Sequence, residues 1–168
     1  TDQCVLLISA AKVNGAIVLS REDTQSSRAS RFHGAVAICY SEIGGYVVCR
    51  DGTFRSHGRA ALDLSGTVIK GTLNTKAAIF EITDVPDATE DWQRRVVVAR
   101  ETQVGSNAVF VRTRFRGTVD LTAIRVGGTL NCRRAEFRFP GSDARSDVLT
   151  DRYCALILAR AVVGGAFH

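Results

Sequence analysis

The chain lacks several features that would place it in a familiar class at once. It has no methionine, two prolines and one tryptophan, and none of its apolar runs approaches the roughly 18 residues that a membrane-spanning helix needs. The apolar segment at residues 5–11 has no basic residue before it, unlike a secretory signal peptide. No Walker loop, GxSxG or HExxH string occurs. We therefore expect one domain over residues 1–168, in a processed form or fragment of a longer protein.

Cysteine is present but forms no recognisable framework. The chain has five cysteines, an odd number, and no CxxC pair, whereas disulfide-rich domains and zinc ribbons need paired, closely spaced cysteines. This usage favours a reducing, cytoplasmic compartment. The histidines His33, His57 and His168 fall at different phases of the repeat described below, so they do not predict a zinc site. We predict no metal and no cofactor.

The main positive feature is an internal repeat. Residues 32–54 (FHGAVAICYSEIGGYVVCRDGTF) align without a gap over residues 115–137 (FRGTVDLTAIRVGGTLNCRRAEF). Weaker copies follow the same frame, which gives the consensus L-x4-V-x-G-x-L-x-C-x2-A-x-F in about six copies. This frame predicts that Leu121 points inward and that the adjacent Thr122 points outward.

The spacing within the repeat predicts short strands that turn corners. Apolar residues come in pairs two apart, which is typical of extended segments whose alternate side chains share a face. The pairs recur about every five residues, out of step with a helical period of 3.6. The shortest distance between equivalent positions, from Val104 to Val126, is 22 residues, a plausible circuit of four sides. We therefore predict an all-β solenoid, a parallel β-helix of about six irregular coils.

Glycines and insertions complete this prediction. A central glycine column should mark a corner that needs positive φ or close approach between coils: Gly15, Gly45, Gly71, Gly128 and Gly165. Three stretches outside the frame predict lateral insertions near residues 20–31, 83–96 and 139–153. In the second, Pro86 followed by Asp87 or Thr89 as N-cap predicts one short helix over residues 84–95, which Trp92 docks onto the solenoid.

At residues 117–137 the sequence resembles bacterial pentapeptide-repeat-like proteins, most of them uncharacterised, which carry G-x-V-x-L-x2-A-x-I-x-G-x-L-x-C-x2-A-x-F units. The resemblance covers most of the chain outside the three insertions. It implies a right-handed, roughly square β-helix, and it implies no catalytic residues. Members that imitate DNA are smooth acidic rods, whereas this chain has a net charge of +5 and is interrupted.

The thiols divide into inward and outward candidates. Cys49 and Cys132 share a repeat column with Leu19 and Phe110, so we interpret them as small core residues. Cys39 follows an inward position and is the candidate for a thiol that can be modified.

The outward arginines form the candidate surface for an anionic partner, which could be nucleic acid, lipid headgroups or an acidic protein. The alternative is a solvated face, with Arg114 over Glu136 as an ion pair and Glu81 interrupting the column. Two repeat columns supply the candidates: Arg55, Arg116 and Arg138 in one, and Arg112 over Arg134 in the other.

From these patterns we predict a non-enzymatic repeat module for macromolecular interaction or scaffolding. Its partner is another protein or a second copy of the chain that associates end to end. One alternative is a basic module that docks on nucleic acid or an anionic membrane. The other is an accessory domain of a larger enzyme.

Overall fold

The computed structural model describes residues 4–20, 30–83, 94–138 and 154–168. In these ranges the backbone forms 22 short strands. No helix in the described ranges has the length and apolar character needed to cross a bilayer.

The strands follow one another in coils, and each complete coil has four of them. Coil 1 contains β1 (Cys4–Ser9), β2 (Lys12–Val13), β3 (Ile17–Val18) and β4 (Arg31–His33). Coil 2 contains β5 (Ala35–Cys39), β6 (Glu42–Ile43), β7 (Val47–Val48) and β8 (Thr53–His57). Coil 3 contains β9 (Leu62–Asp63), β10 (Val68–Ile69), β11 (Leu73–Asn74) and β12 (Ile79–Thr83).

The later coils repeat this order. Coil 4 contains β13 (Arg95–Val98), β14 (Gln103–Val104), β15 (Ala108–Val109) and β16 (Arg114–Arg116). Coil 5 contains β17 (Thr118–Asp120), β18 (Arg125–Val126), β19 (Leu130–Asn131) and β20 (Glu136–Arg138). Coil 6 contains β21 (Leu156–Ile157) and β22 (Val162–Val163), and Phe167 then bridges to Leu130.

Strands of successive coils pair in parallel and build the four faces of a right-handed parallel β-helix. Face 1 has the order β1-β5-β9-β13-β17-β21, and face 2 has the order β2-β6-β10-β14-β18-β22. Face 3 is β3-β7-β11-β15-β19, and face 4 is β4-β8-β12-β16-β20. The all-β solenoid predicted from the repeat is confirmed.

The core is a set of stacked columns of inward side chains. On face 4 the phenylalanines of coils 1 to 5 lie ring on ring, with neighbouring centroids 4.6, 4.9, 5.6 and 5.0 Å apart. Such aromatic pairs contribute about 0.5–1.5 kcal/mol beyond the area that they bury. The register is the one that the repeat frame predicts, because Phe32, Phe54, Phe80, Phe115 and Phe137 pair in order.

The predicted lateral insertions lie mostly outside the described residues. The gaps at 21–29, 84–93 and 139–153 include nearly all of the three predicted stretches, with Trp92 and the predicted short helix. At their borders the prediction was too wide. Arg31 begins β4, Thr83 ends β12 and Arg95 begins β13, because backbone pairing with the neighbouring coil continues through these residues.

The central glycine column is a place of close backbone approach. Gly45 N donates to Gly15 O at 2.9 Å, and Gly71 N donates to Gly45 O at 2.8 Å. A Cβ on Gly71 would lie 2.7 Å from Gly45 O, which explains the missing side chain. The alternative prediction, positive φ in this column, was wrong. Apart from Gly58, which follows face 4, the left-handed residues stand at two other corners: Ala10, Tyr40, Gly66, Glu101, Ala123 and Arg160 at one, and Asp51, Ala77, Arg112 and Arg134 at the other.

Candidate anion-binding surface

The outward side chains of face 4 form the first part of the candidate surface. In each strand of this face the inward phenylalanine lies between two residues that point out, because side chains alternate along a strand. The backbone register places the second outward residue of each strand in one column, in the order His33, Arg55, Glu81, Arg116 and Arg138. The predicted stacking of three of the candidate arginines, interrupted by Glu81, is therefore present.

The corner between faces 3 and 4 supplies the other two predicted arginines. Arg112 and Arg134 adopt φ values of 56° and 57°, in the left-handed region that a non-glycine residue enters at a cost of roughly 1–2 kcal/mol. Arg112 N donates to Arg133 O at 3.1 Å, so Arg112 lies directly above Arg134 in the next coil. Both side chains are exposed. This left-handed turn projects each guanidinium group from the edge of the solenoid.

We call the outward residues of face 4 and of this corner the arginine face. All of its basic residues are exposed: Arg31, Arg50, Arg55, Lys76, Arg112, Arg114, Arg116, Arg133, Arg134 and Arg138. Its acidic residues are Asp51, Glu81 and Glu136.

Each of the two glutamates on the arginine face is shared between arginines. Glu81 accepts from Arg55 Nε and Arg116 Nη1, both at 2.8 Å. Burial alone would raise the pKa of the Glu81 carboxyl, but the hydrogen bonds and charges of the two arginines outweigh burial and lower it. Glu136 lies 3.5 Å from both Arg114 and Arg138, as predicted for Arg114. Two glutamates therefore partly neutralise four arginines.

Other basic residues of the arginine face have no acidic partner. Within the part of the chain that the structure describes, no carboxylate forms an ion pair with Arg112, Arg133 or Arg134. These three guanidinium groups occupy adjacent coils, whose backbones are about 4.8 Å apart. Like charges held this close repel one another, so the cluster does not stabilise the fold by itself. A bound anion would relieve that repulsion.

Basic and acidic residues are unevenly distributed over the described part of the solenoid. The described residues hold 18 of the 22 lysines and arginines but only seven of the 17 aspartates and glutamates. Ten of those 18 bases lie on the arginine face, against three of the seven acids. Among the described residues, the basic charge is thus concentrated on one side of the solenoid.

The arginine face is open, with two shallow grooves. One groove, of about 190 Å³, is lined by Arg114, Arg116, Glu136 and Arg138, with Phe115 at its floor. The other, of about 200 Å³, lies over coils 1 to 4. Pockets for small molecules usually enclose about 300–1,000 Å³, so this surface suits a large partner better than a small substrate.

Burial makes the thiols of Cys39, Cys49 and Cys132 less reactive. Burial raises the pKa of Cys49 to about 12 and that of Cys132 to about 11, and both residues occupy the inward column that the repeat predicts. Cys39, the predicted modifiable thiol, is half-buried, and burial together with the charge of Asp63 raises its pKa to about 12. Because the thiolate is the reactive form, Cys39 is a poor nucleophile near neutral pH.

The repeat frame missed several members of the arginine face. The surface also includes Arg31 in β4 and three residues at the corner between faces 3 and 4, Arg50, Lys76 and Arg133, which lie outside the two predicted columns. The signal was present, since Arg50, Lys76 and Arg133 each follow the cysteine-type column by one residue. In the described ranges, histidine, cysteine and carboxylate side chains form no group of three that could hold a metal ion.

Comparison of the chain with models of protein families, with curated proteins and with solved structures finds no match.

Proposed function

We propose that this chain is a non-enzymatic, rigid interaction module that binds a polyanionic macromolecule on its arginine face. The observation that carries this proposal is the cluster of Arg112, Arg133 and Arg134, exposed and without acidic partners on adjacent coils. The paired arginines around Glu81 and Glu136 extend the same surface along the solenoid axis. The kinship with pentapeptide-repeat-like proteins stays a prediction that the repeat alone supports.

A rigid scaffold favours this kind of binding. The guanidinium groups on the arginine face extend from a backbone that pairs with at least one neighbouring coil, so little backbone entropy is lost when a partner binds. The open, shallow shape lets a long partner lie across several coils. Electrostatic attraction of this kind also accelerates association and weakens as salt concentration rises.

Retention on immobilised heparin tests the proposal. The double variant Arg112→Gln/Arg134→Gln should elute at clearly lower NaCl than the unmodified chain, because each lost counterion-releasing contact is worth about eightfold in affinity at 0.1 M salt. Arg125→Gln is the matched control, since Arg125 is an exposed arginine on face 2. The proposal fails if the unmodified chain is not retained at low salt, or if all three proteins elute together.

A second candidate, end-to-end self-association, has its own structural support. Coils 1 and 6 each have a neighbouring coil on one side only within the described residues, and their inward side chains Ile8 and Val163 are only partly buried against the core. Phe167 in coil 6 remains 54% exposed. A second copy that stacks coil 1 on coil 6 would continue the same apolar columns.

Light scattering over a range of concentrations tests self-association. We expect the molar mass to rise with concentration, and Phe167→Ala to shift this rise to higher concentration because it removes an apolar contact from the end of the stack. Tyr46→Ala is the control, because Tyr46 is exposed to a similar extent but lies on a side corner. A monomeric mass at all concentrations would rule this candidate out.

A further inference from the structure

We infer that the partner of the arginine face is the sugar–phosphate backbone of double-stranded nucleic acid, bound without regard to base sequence. This inference rests on the proposed function, which names only a polyanion. Four properties of the surface carry it: the type of its basic residues, the residues that it lacks, its rigid spacing, and the absence of a described element that could read bases.

Arginine dominates the arginine face almost completely. Nine of its ten basic residues are arginines and the tenth is Lys76. A guanidinium group donates from a planar fork that matches two phosphate oxygens at once, whereas an ammonium group acts as a point charge. The surface is therefore better suited to phosphate groups held in fixed positions than to a diffuse layer of negative charge.

Among the described residues, the arginine face has no fully exposed large apolar side chain that could anchor it in a membrane, since its outward Ile79 is only half-exposed. The aromatic residues of face 4 point inward in the phenylalanine stack, and the exposed large apolar residues lie elsewhere. Stable docking on a bilayer commonly combines basic residues with buried apolar area or a lipid anchor. The exposed large apolar residues of the described chain are Val5, Leu7, Val18, Tyr40, Tyr46, Val162 and Phe167.

Within the described ranges, the arginine face also has no exposed aromatic ring, and this argues against binding of single strands. Proteins that bind single-stranded nucleic acid stack its bases on aromatic side chains, at about 1–3 kcal/mol per base by substitution. Tyr40 and Tyr46, the exposed aromatic residues of coil 2, stand on corners away from the arginine face. A single strand would meet only backbone contacts here, and it would also lose conformational freedom on binding.

The spacing of the basic residues fits a duplex. The basic residues without acidic partners lie in coil 1 (Arg31), coil 3 (Lys76), coil 4 (Arg112) and coil 5 (Arg133 and Arg134). At about 4.8 Å per coil, coils 1 to 5 extend over roughly 19 Å. One strand of a duplex places about five or six phosphates along that length, at 3.4 Å each.

The described residues offer nothing that could read base sequence. Direct readout in the major groove needs a helix or a two-stranded ribbon that enters it. Here the contact surface is the flat side of a sheet and its corner, and the strands of that sheet are three to five residues long. The contacts would therefore go to phosphates, and affinity would not depend on base sequence.

Fluorescence anisotropy with a labelled 20-base-pair DNA duplex tests the inference, with the same 20-mer single strand and phosphatidylserine vesicles as competitors. We expect the duplex to bind most tightly, and two unrelated duplex sequences to bind equally. A plot of log affinity against log salt should have a slope of about −4, for four or five phosphate contacts at about 0.9 each. Arg112→Gln/Arg134→Gln should reduce that slope by about 2, and Arg125→Gln should leave it unchanged.

The outcomes separate this inference from the proposed function. If the chain is retained on heparin but does not bind the duplex, the inference is wrong and the proposed function stands. The same conclusion follows if vesicles or single strands bind more tightly than the duplex does. Failure to bind heparin as well as duplex overturns both. Duplex binding with a salt slope that the double variant does not change would show that the contact surface lies elsewhere, and this too overturns the inference.

Discussion

Replacing Leu121 with aspartate is expected to unfold the chain. Leu121 is fully buried in coil 5, directly after β17, in the inward column that also contains Ile38 and Leu64. A carboxylate at this place has apolar neighbours and no cationic partner, and burying a charge without a partner costs several kcal/mol even after the pKa has shifted. Since domains of this size have a total stability of about 5–15 kcal/mol, most or all of it would be lost.

Circular dichroism and urea titration measure this effect, and a milder variant keeps the test informative if Leu121→Asp does not fold at all. Leu121→Ala should reduce the free energy of unfolding by about 2–5 kcal/mol. Gln103→Asp is the control, because Gln103 is exposed on face 2 in coil 4, and it should change stability by less than about 0.5 kcal/mol. Similar losses for Leu121→Ala and Gln103→Asp would contradict the assigned register.

The repeat frame predicted which side chains form the core, because buried apolar positions recur at regular intervals in the sequence. The alignment of the repeat copies alone predicted two features of the core. One is the inward column that contains Val13, Ile43 and Val163, and the other is the phenylalanine stack. In a solenoid each coil contacts its immediate neighbours, so a correct alignment of copies fixes the strand register without further information. The same alignment placed Arg112 over Arg134 and Arg114 over Glu136.

The corners and the outer contacts were less predictable, because they depend on backbone conformation and on side chains from different columns. The central glycines predicted either positive φ or close approach between coils, and only the close approach is present. The left-handed positions are instead held by residues such as Ala123 and Arg134, which have no distinctive composition. The frame also predicted that Thr122 points freely outward. In the structure its hydroxyl donates to Asp120 Oδ1 at 2.6 Å, so Thr122→Asp would bring two carboxylates together.

Asp120 forms a buried ion-pair cluster that the repeat frame did not predict. It belongs to an outward column of face 1, yet it is completely buried. Arg100 Nε donates to its Oδ2 at 2.7 Å, and Arg95 Nε lies 3.2 Å from the same oxygen. Its Oδ1 accepts from the backbone N and the hydroxyl of Thr122. Burial alone would raise the pKa of Asp120, but the hydrogen bonds from Thr122 and Arg100 outweigh burial, and the net effect lowers the pKa.

Asp120→Asn should therefore reduce the free energy of unfolding by about 3 kcal/mol at pH 7, because it leaves the mostly buried Arg95 without its counter-charge. A carboxyl with a lowered folded-state pKa stabilises the fold above its unfolded pKa of about 3.9, and this contribution is lost as pH falls through the folded value. In urea titrations the difference in free energy of unfolding between the unmodified chain and Asp120→Asn should thus be constant above about pH 5 and should narrow towards pH 3.

The control is Asp51→Asn, at an exposed aspartate whose ion pair is 4.0 Å long. It should change the free energy of unfolding by less than about 0.5 kcal/mol at any pH. If the difference in free energy of unfolding between the unmodified chain and Asp120→Asn stays the same down to pH 3, lost packing, and not lost charge, destabilises the variant.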